Sequence, residues 1–515
     1  MGWVQIHSGR GGVSWIRERG PGHWALINQI LSKETYPIRM VTRFRHFMLL
    51  FMVLLISTRL LGQPAAPQSG TRPTRSFTVQ EAVNYAMSNY PAVRAAIQSY
   101  MAARAGVGLA ATSYLPNINI IWQDNRATRN NVAGVLLPQS IIPNPSGTTL
   151  PESGRSFWGS GTGALFSYEP YDFGYRRAQV RAAEFTEKRT QEEVVLTRLN
   201  VAAGVADASL LVLAAEQQVR ASQANVDRRL VFAKSVHALV DAHLRPGADA
   251  SRTDAELAAA RTQLALSQET EQVNAAVLGQ VLGLAGTRIE IKQGPFLGIP
   301  PEAIWTSGPV STHPLAVVQE RRIEEAQSRI DVLRHAYYPH LSLQALISAR
   351  GTGANAQGAP MPGSAGLWPD TANNWAAGFS VNFPLLDIAS IRAHKRIELA
   401  NQRREQALYD QTLQNVTGQL DQVQAVVEGS RRVAENTPVE LQAAKESEAQ
   451  ARARFKAGLG TIVDVAEAQR LLLQAEIDDS LATLNIWRAL ARLAVVQGDI
   501  QPFLDLVNRS ATGGP

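Results

Sequence analysis

The chain has 515 residues, of which 45% are hydrophobic and 18% charged, with 50 basic against 44 acidic side chains and a net charge of +6. It contains no cysteine, which excludes disulfides, thiolate metal sites and a lipidated N-terminal cysteine. The basic surplus lies in residues 1–62, where Arg10, Arg17, Arg19, Lys33, Arg39, Arg43, Arg45 and Arg59 outnumber Glu18 and Glu34. The remainder is formally neutral, so the charge balance says nothing about nucleic acid.

Taken in order, residues 1–39 read as an upstream extension from a misassigned start codon. From Met40 the pattern is a secretory signal: Arg43, Arg45 and His46 precede an apolar run from Phe47 to Ile56 that is too short to span a bilayer. Small residues at Gly62, Ala65 and Ala66 place cleavage there, with the mature chain starting near Gln63. Residues 63–76 read as a flexible lead-in.

From Phe77 the chain echoes itself. Asn89-Tyr90-Pro91 returns as Thr312-His313-Pro314, and Tyr114-Leu115-Pro116-Asn117-Ile118 as Tyr337-Tyr338-Pro339-His340-Leu341. Tyr168-Glu169-Pro170 with Asp172 returns as Asn382-Phe383-Pro384 with Asp387. Arg245-Pro246-Gly247 with Glu256 returns as Lys456-Ala457-Gly458 with Glu467. The same landmarks in the same order indicate a duplication, with repeats at 77–285 and 313–498, a connector at 286–312 and a C-terminal tail at 499–515. Ser510 to Pro515 are expected to be disordered.

Each repeat reads helix, strand, loop, strand, long helix, turn, helix. Strands are expected at 117–126 and 156–169, then at 340–350 and 372–383. In the second pair Leu341, Leu343, Ala345, Ile347 and Ala349 share one face, as do Trp375, Ala377, Phe379, Val381 and Phe383. Ile121, Leu165 and Leu346 break the alternation. Length, one apolar face and aromatic residues near the ends fit membrane-spanning strands, although a soluble sandwich with one buried face fits the same pattern. The loops 127–155 and 351–371 are rich in small polar residues and read as external.

Long helices are expected over 175–243 and 388–455, each about 105 Å at 1.5 Å per residue. The stretches 79–114 and 251–285, and again 314–337 and 462–497, are short enough to pack end to end against one long helix. Val465, Leu472, Ile486 and Leu493, with Ala468, Ala475, Ala482, Ala489 and Val496, give heptad spacing, so the helices pack as a coiled coil. Pro438 should kink or break the second long helix.

The stretch Phe455 to Glu467 joins two of these helices. Gly458 and Gly460 permit a tight reversal, Thr461 can cap the outgoing helix, and Asp464 and Glu467 lie one turn apart behind it. The two carboxylates either complement the helix dipole or, repeated around a ring, form a gate. In the first repeat the turn runs from residue 243 to residue 250, with Gly247 as the reversal.

Four strands cannot close a barrel, and lipid does not tolerate open strand edges, so membrane-spanning strands must be shared between chains. Three chains supply twelve strands above twelve helical columns. The scattered histidines and the run Gly159 to Gly163 match no metal-ligand, phosphate-binding or nucleophile spacing, so neither an enzyme nor a cofactor is expected.

From Phe77 to Gly498 the chain resembles the TolC-type outer-membrane efflux proteins. The resemblance rests on Thr78-Val79-Gln80-Glu81-Ala82-Val83, Asn89-Tyr90-Pro91, Leu115-Pro116-Asn117-Ile118, the Pro170/Asp172 and Pro384/Asp387 exits, and Gly458-Leu459-Gly460-Thr461-Ile462-Val463-Asp464-Val465. It implies an α+β membrane protein: a helical coiled-coil barrel crossing the periplasm, joined to a β-barrel that three chains share in the outer membrane. It implies a homotrimer that docks a periplasmic adaptor and an inner-membrane pump and exports small molecules, metals or polypeptides. Asp464 and Glu467 would be the pore constriction, and Gly247, Gly458, Leu459 and Gly460 the docking tips. Gly460 stands where some members carry arginine, which removes a salt-bridge latch at that point. The competing expectation is a periplasmic coiled-coil scaffold without a pore.

Overall fold

The computed structural model describes residues 73–128, 156–302, 308–353, 355 and 361–511. The upstream extension, the signal segment, residues 63–72 of the lead-in, the loop 129–155, residues 303–307 of the connector, residues 354 and 356–360 of the second loop and residues 512–515 lie outside the described residues.

The chain opens with β1 (Thr74–Phe77), α1 (Val79–Asn89) and α2 (Pro91–Ala111), then β2 (Asn117–Thr128) and β3 (Ser156–Tyr171). The long α3 (Tyr175–Asp241), α4 (Gly247–Val281) and β4 (Arg288–Ile291) follow. The second half comprises α5 (Pro314–His335), β5 (His340–Thr352), β6 (Thr371–Asn382), α6 (Ile388–Lys456), α7 (Ile462–Val496) and α8 (Gln501–Ala511).

Local chemistry accounts for the boundaries. The Thr78 hydroxyl accepts from the Glu81 N–H while the Glu81 carboxylate accepts from the Thr78 N–H, which opens α1. Pro91 and Pro314 occupy the first turns of α2 and α5, where the missing N–H costs nothing.

Helices stack in four columns, α2 above α4, then α3, then α5 above α7, then α6, with each long helix flanked by stacked short ones. At about 100 Å apiece, α3 and α6 span the whole column. Both joints between short helices are built alike. Gly283, with φ +72°, ends the turn after α4 against Tyr90 and Pro91; Gly498, with φ +93°, ends the turn after α7 against His313 and Pro314. A left-handed glycine closing the lower helix thus meets the X-Pro pair that starts the upper one.

The main core lies at mid-height. Leu210 and Leu213 of α3, Leu278 of α4 and Leu484, Ile486 and Trp487 of α7 pack with Phe296 and with Phe503 and Leu504 of α8. The Trp487 indole N–H donates to the Gly298 carbonyl at 2.9 Å.

The main sheet runs β2-β3-β5-β6, antiparallel throughout, with β2 and β6 at its edges. Ile118 and Ile120 pair with Phe166 and Ala164; these pair on with Ala345 and Ile347, and those with Ala377 and Trp375, so one face is apolar across all four strands. Two residues that break the alternation face each other: Leu165 lies directly opposite Leu346 on the other, more polar face. Their cross-strand contact offsets what the periodicity loses.

Several expectations are corrected. Residues 74–76 belong to β1, which pairs in parallel with β4 in the connector. The first helix divides at Tyr90, because Pro91 must restart it. Pro438 neither ends nor divides α6. Beside it the Thr437 hydroxyl and Asp479 of α7 lie 3.1 Å apart, and tertiary packing carries the helix through. Ser510 is helical, because α8 buries Phe503, Leu504, Leu506 and Val507.

Candidate functional site

The two helix-to-helix turns lie at the ends of α3 and α6 remote from the main sheet. At the first, the His243 N–H donates to the Val240 carbonyl and the Leu244 N–H to the Leu239 carbonyl, both at 2.9 Å. At the second, the Gly458 N–H donates to Phe455 at 3.0 Å and the Leu459 N–H to Arg454 at 2.9 Å. Both are Schellman closures with a left-handed residue, His243 at φ +58° and Gly458 at φ +76°.

The sequence assignment of the first turn is corrected here. Gly247 is the first residue of α4, preceded by Pro246 at the N-cap, and the left-handed position belongs to His243. The counterpart of Gly458-Leu459 is therefore His243-Leu244. Leu244 and Leu459 are 69% and 74% exposed, one apolar knob on each turn. Histidine gives no turn signal in a sequence, which is why Leu244 escapes notice. Gly460 sits against the last turn of α6, where a Cβ would come 3.2 Å from the Phe455 nitrogen, so the position favours glycine for space.

The two turns are clasped together. Arg245 lies over the Phe455 ring at 4.6 Å and reaches its carbonyl at 3.5 Å. Phe455 packs edge-on against Phe232 at 5.2 Å, in a small core with Val236, Ile462 and Val465.

Asp464 and Glu467 come together along one groove of ≈ 400 Å³ between α6 and α7, with Arg454, Gly460, Val463 and Leu471 among its lining. The Asp464 carboxylate accepts from the Thr461 N–H at 2.8 Å, and the Thr461 hydroxyl accepts from the Asp464 N–H at 3.3 Å. The bond from the Thr461 N–H foremost, and then the Thr461 side chain, hold the Asp464 carboxyl below its ordinary value, with the Arg454 charge assisting. Arg470 grips both oxygens of Glu467, at 2.6 and 3.0 Å, and lowers that carboxyl in the same way. Each acid therefore already serves its own helix, and both stay exposed and anionic at neutral pH. Arg470 balances the charge of Glu467, so attraction for cations rests chiefly on Asp464.

A family model described as Outer membrane efflux protein matches residues 82–284 and 313–499. The chain is 24% identical over 425 residues to the pyoverdine export outer membrane protein OpmQ of Pseudomonas aeruginosa, covering 80% of this chain and 82% of that protein. It is 24% identical over 354 residues to the cobalt-zinc-cadmium resistance protein CzcC of Cupriavidus metallidurans, covering 68% and 79%. The fold is similar to that of the CmeC outer membrane channel of Campylobacter jejuni, with a TM-score of 0.67 at 15% identity over 88% of this chain and 98% of that one.

Proposed function

The chain belongs to the outer membrane efflux protein family and is an efflux channel rather than an enzyme; from that premise we propose how it is assembled and what its turns do. Three identical chains each contribute β2, β3, β5 and β6 to one twelve-stranded barrel in the outer membrane, and the four helical columns of each build a tunnel through the periplasm. One observation carries this reading: a four-stranded sheet with an apolar face and two edges, β2 and β6, that lipid would leave unpaired. Pairing β6 of one chain with β2 of the next removes every edge.

The duplicated order of helix, strand pair, long helix and short helix fits a doubling of one ancestral unit. A signal segment ahead of residue 63 fits export to this location without lipidation. At the periplasmic end Leu244 and Leu459, with Gly247, Gly458 and Gly460 around them, present apolar knobs to an adaptor that links the tunnel to an inner-membrane pump. Asp464 and Glu467 line the constriction, where three copies of each would favour cation passage. Cargo is a small molecule, a metal ion or a polypeptide; the relatives are named for pyoverdine export and for cobalt, zinc and cadmium resistance.

Single-channel recording in planar bilayers tests the constriction. Asp464→Asn with Glu467→Gln keeps the helical cap possible and should lower cation selectivity and relieve block by divalent cations. Unchanged selectivity and block would reduce both acids to helix-stabilising roles. A monomer in the soluble periplasm would overturn the assembly and restore the scaffold reading.

A further inference from the structure

Beside the joint between α7 and α5, three helices of the same chain flank an open crevice of ≈ 230 Å³. Its floor is the last turns of α7, with Ala491 and Val495, and its walls are Ala206 of α3 and Val423 of α6. Small side chains on α7 keep the floor low between two through-going helices. The joint itself is adjacent, since a His313 ring nitrogen lies 3.3 Å from the Val495 carbonyl.

The polar groups at this crevice are unbalanced. Asp207 and Arg492 both line it. One oxygen of Asp207 takes Arg488 at 3.0 and 3.1 Å and Arg492 at 3.6 Å, so two guanidinium groups share a single carboxylate. The trio carries a net charge of +1. Arg488 holds the nearer bonds, which leaves Arg492, 55% exposed at its side chain, with donors to spare. Among the described residues, the same lining supplies only Gln419 and Gln422 as further polar side chains.

We propose that this crevice binds a small amphipathic anion, with its hydrocarbon part against Ala206, Val423, Ala491 and Val495 and its carboxylate or sulfonate on the Arg492 guanidinium. Size and charge choose the ligand class. An apolar cavity of about 150 Å³ accommodates benzene, so this one has room for a fused ring or a medium-length chain. A planar guanidinium takes a planar carboxylate through two parallel N–H bonds. A cation would meet two arginines against one aspartate and is disfavoured. Every residue that lines the crevice belongs to one chain.

The test is equilibrium binding of 2-naphthoate to the full chain in lipid nanodiscs, which keeps detergent tails out of the crevice. One naphthoate per chain should bind. Replacing it by neutral 2-naphthylmethanol, or introducing Arg492→Gln, should weaken binding about two- to fivefold, the worth of one exposed charge pair. Cationic 2-naphthylmethylamine should bind more weakly still. Filling the crevice at Ala203, which lines it beside Ala206 on α3, by Ala203→Leu, or independently from the opposite wall by Val423→Phe, should abolish binding while thermal unfolding shows the protein still folded. Saturable binding that survives both filling variants would overturn the proposal. So would neutral or cationic probes binding as tightly as naphthoate, or no saturation with wild type.

Discussion

The two halves of the chain run through the same sequence of elements but fasten opposite ends. Where the first half passes from strand to long helix, Asp172 and Arg176 form a buried pair at 2.8 Å. Asp172 also accepts the N–H groups of Gly174 and Arg176, while Arg176 reaches the Ser113 and Glu169 carbonyls and lies over the Tyr114 ring. Burial alone would raise the Asp172 carboxyl, but these bonds outweigh it and hold it below its ordinary value. At the same place in the second half, Asp387 is exposed and caps nothing, and Ile391 occupies the position four residues on. At the turns the roles reverse. The second carries a capping box and a left-handed glycine, whereas the first has an unassisted Pro246 and a left-handed histidine. A shared scaffold can thus place its polar fastenings independently at either end of each half.

The largest effect that would sharpen this contrast is at the strand-to-helix passages. Arg176→Met leaves Asp172 buried without its partner and should cost about 3–5 kcal/mol in denaturant unfolding. Asp387→Asn, at the matching position, should stay within about 0.5 kcal/mol. Comparable losses at both sites would erase the distinction.

The column joints come next. An added methyl at Gly498 would lie 2.8 Å from the Pro314 ring, whereas at Gly283 its nearest neighbour is 3.5 Å away, and both positions are left-handed. Gly498→Ala should cost about 2–3 kcal/mol and Gly283→Ala about 1–2 kcal/mol, read from the same unfolding curves. Equal costs would show that the joints tolerate crowding alike.

At the turns, Gly458→Val should destabilise by about 1–2 kcal/mol through left-handed strain, whereas His243→Gly should gain up to about 1 kcal/mol. A loss on His243→Gly would mean that the imidazole contributes more than its backbone strain removes.

The smallest effects are in pH dependence, and they have opposite signs. Burial pushes the His313 imidazole down, partly countered by the Val495 carbonyl. The folded state favours neutral His313, so its contribution is whole above the ordinary value of 6.5 and is lost as pH falls through the lowered one. Exposed His237, hydrogen-bonded to Asp254 at 2.9 Å, is pushed up by that bond and by the aspartate charge. Its contribution is whole below 6.5 and fades as pH rises through the raised value. Melting temperatures should therefore show the His313→Gln deficit shrinking as pH falls below 6.5 and the His237→Gln deficit shrinking as pH rises above it.

Much of this architecture is legible in residue patterns, because long helices and alternating strands declare themselves by period. Tyr175–Asp241 and Ile388–Lys456 begin and end within two residues of the expected limits, since glycine, proline and apolar spacing agree there. Pro438 misleads because packing against α7 outweighs its local cost. β1 and α8 are invisible because each is short and gains its stability from distant partners, β4 for one and the mid-height core for the other. At the candidate site, Thr461 and Asp464 are readable three residues apart as a capping box. The left-handed His243, the exposed Leu244 beside it and the Arg245–Phe455 clasp are not, because they depend on three-dimensional placement and not on residue type.

The proposed assembly has three chains sharing one barrel, and the absence of cysteine from the sequence makes it directly testable. Within one chain β2 and β6 are separated by β3 and β5, three strand spacings or about 14 Å, which is beyond disulfide reach. The measurement is denaturing electrophoresis after oxidation of double variants that combine Asn119→Cys in β2 with a cysteine at Gly378, Ser380 or Asn382 in β6. The account predicts that the pairing in register gives a covalent trimer, returned to monomer by reductant. Monomer alone from every combination, in protein extracted from the outer membrane, would contradict it.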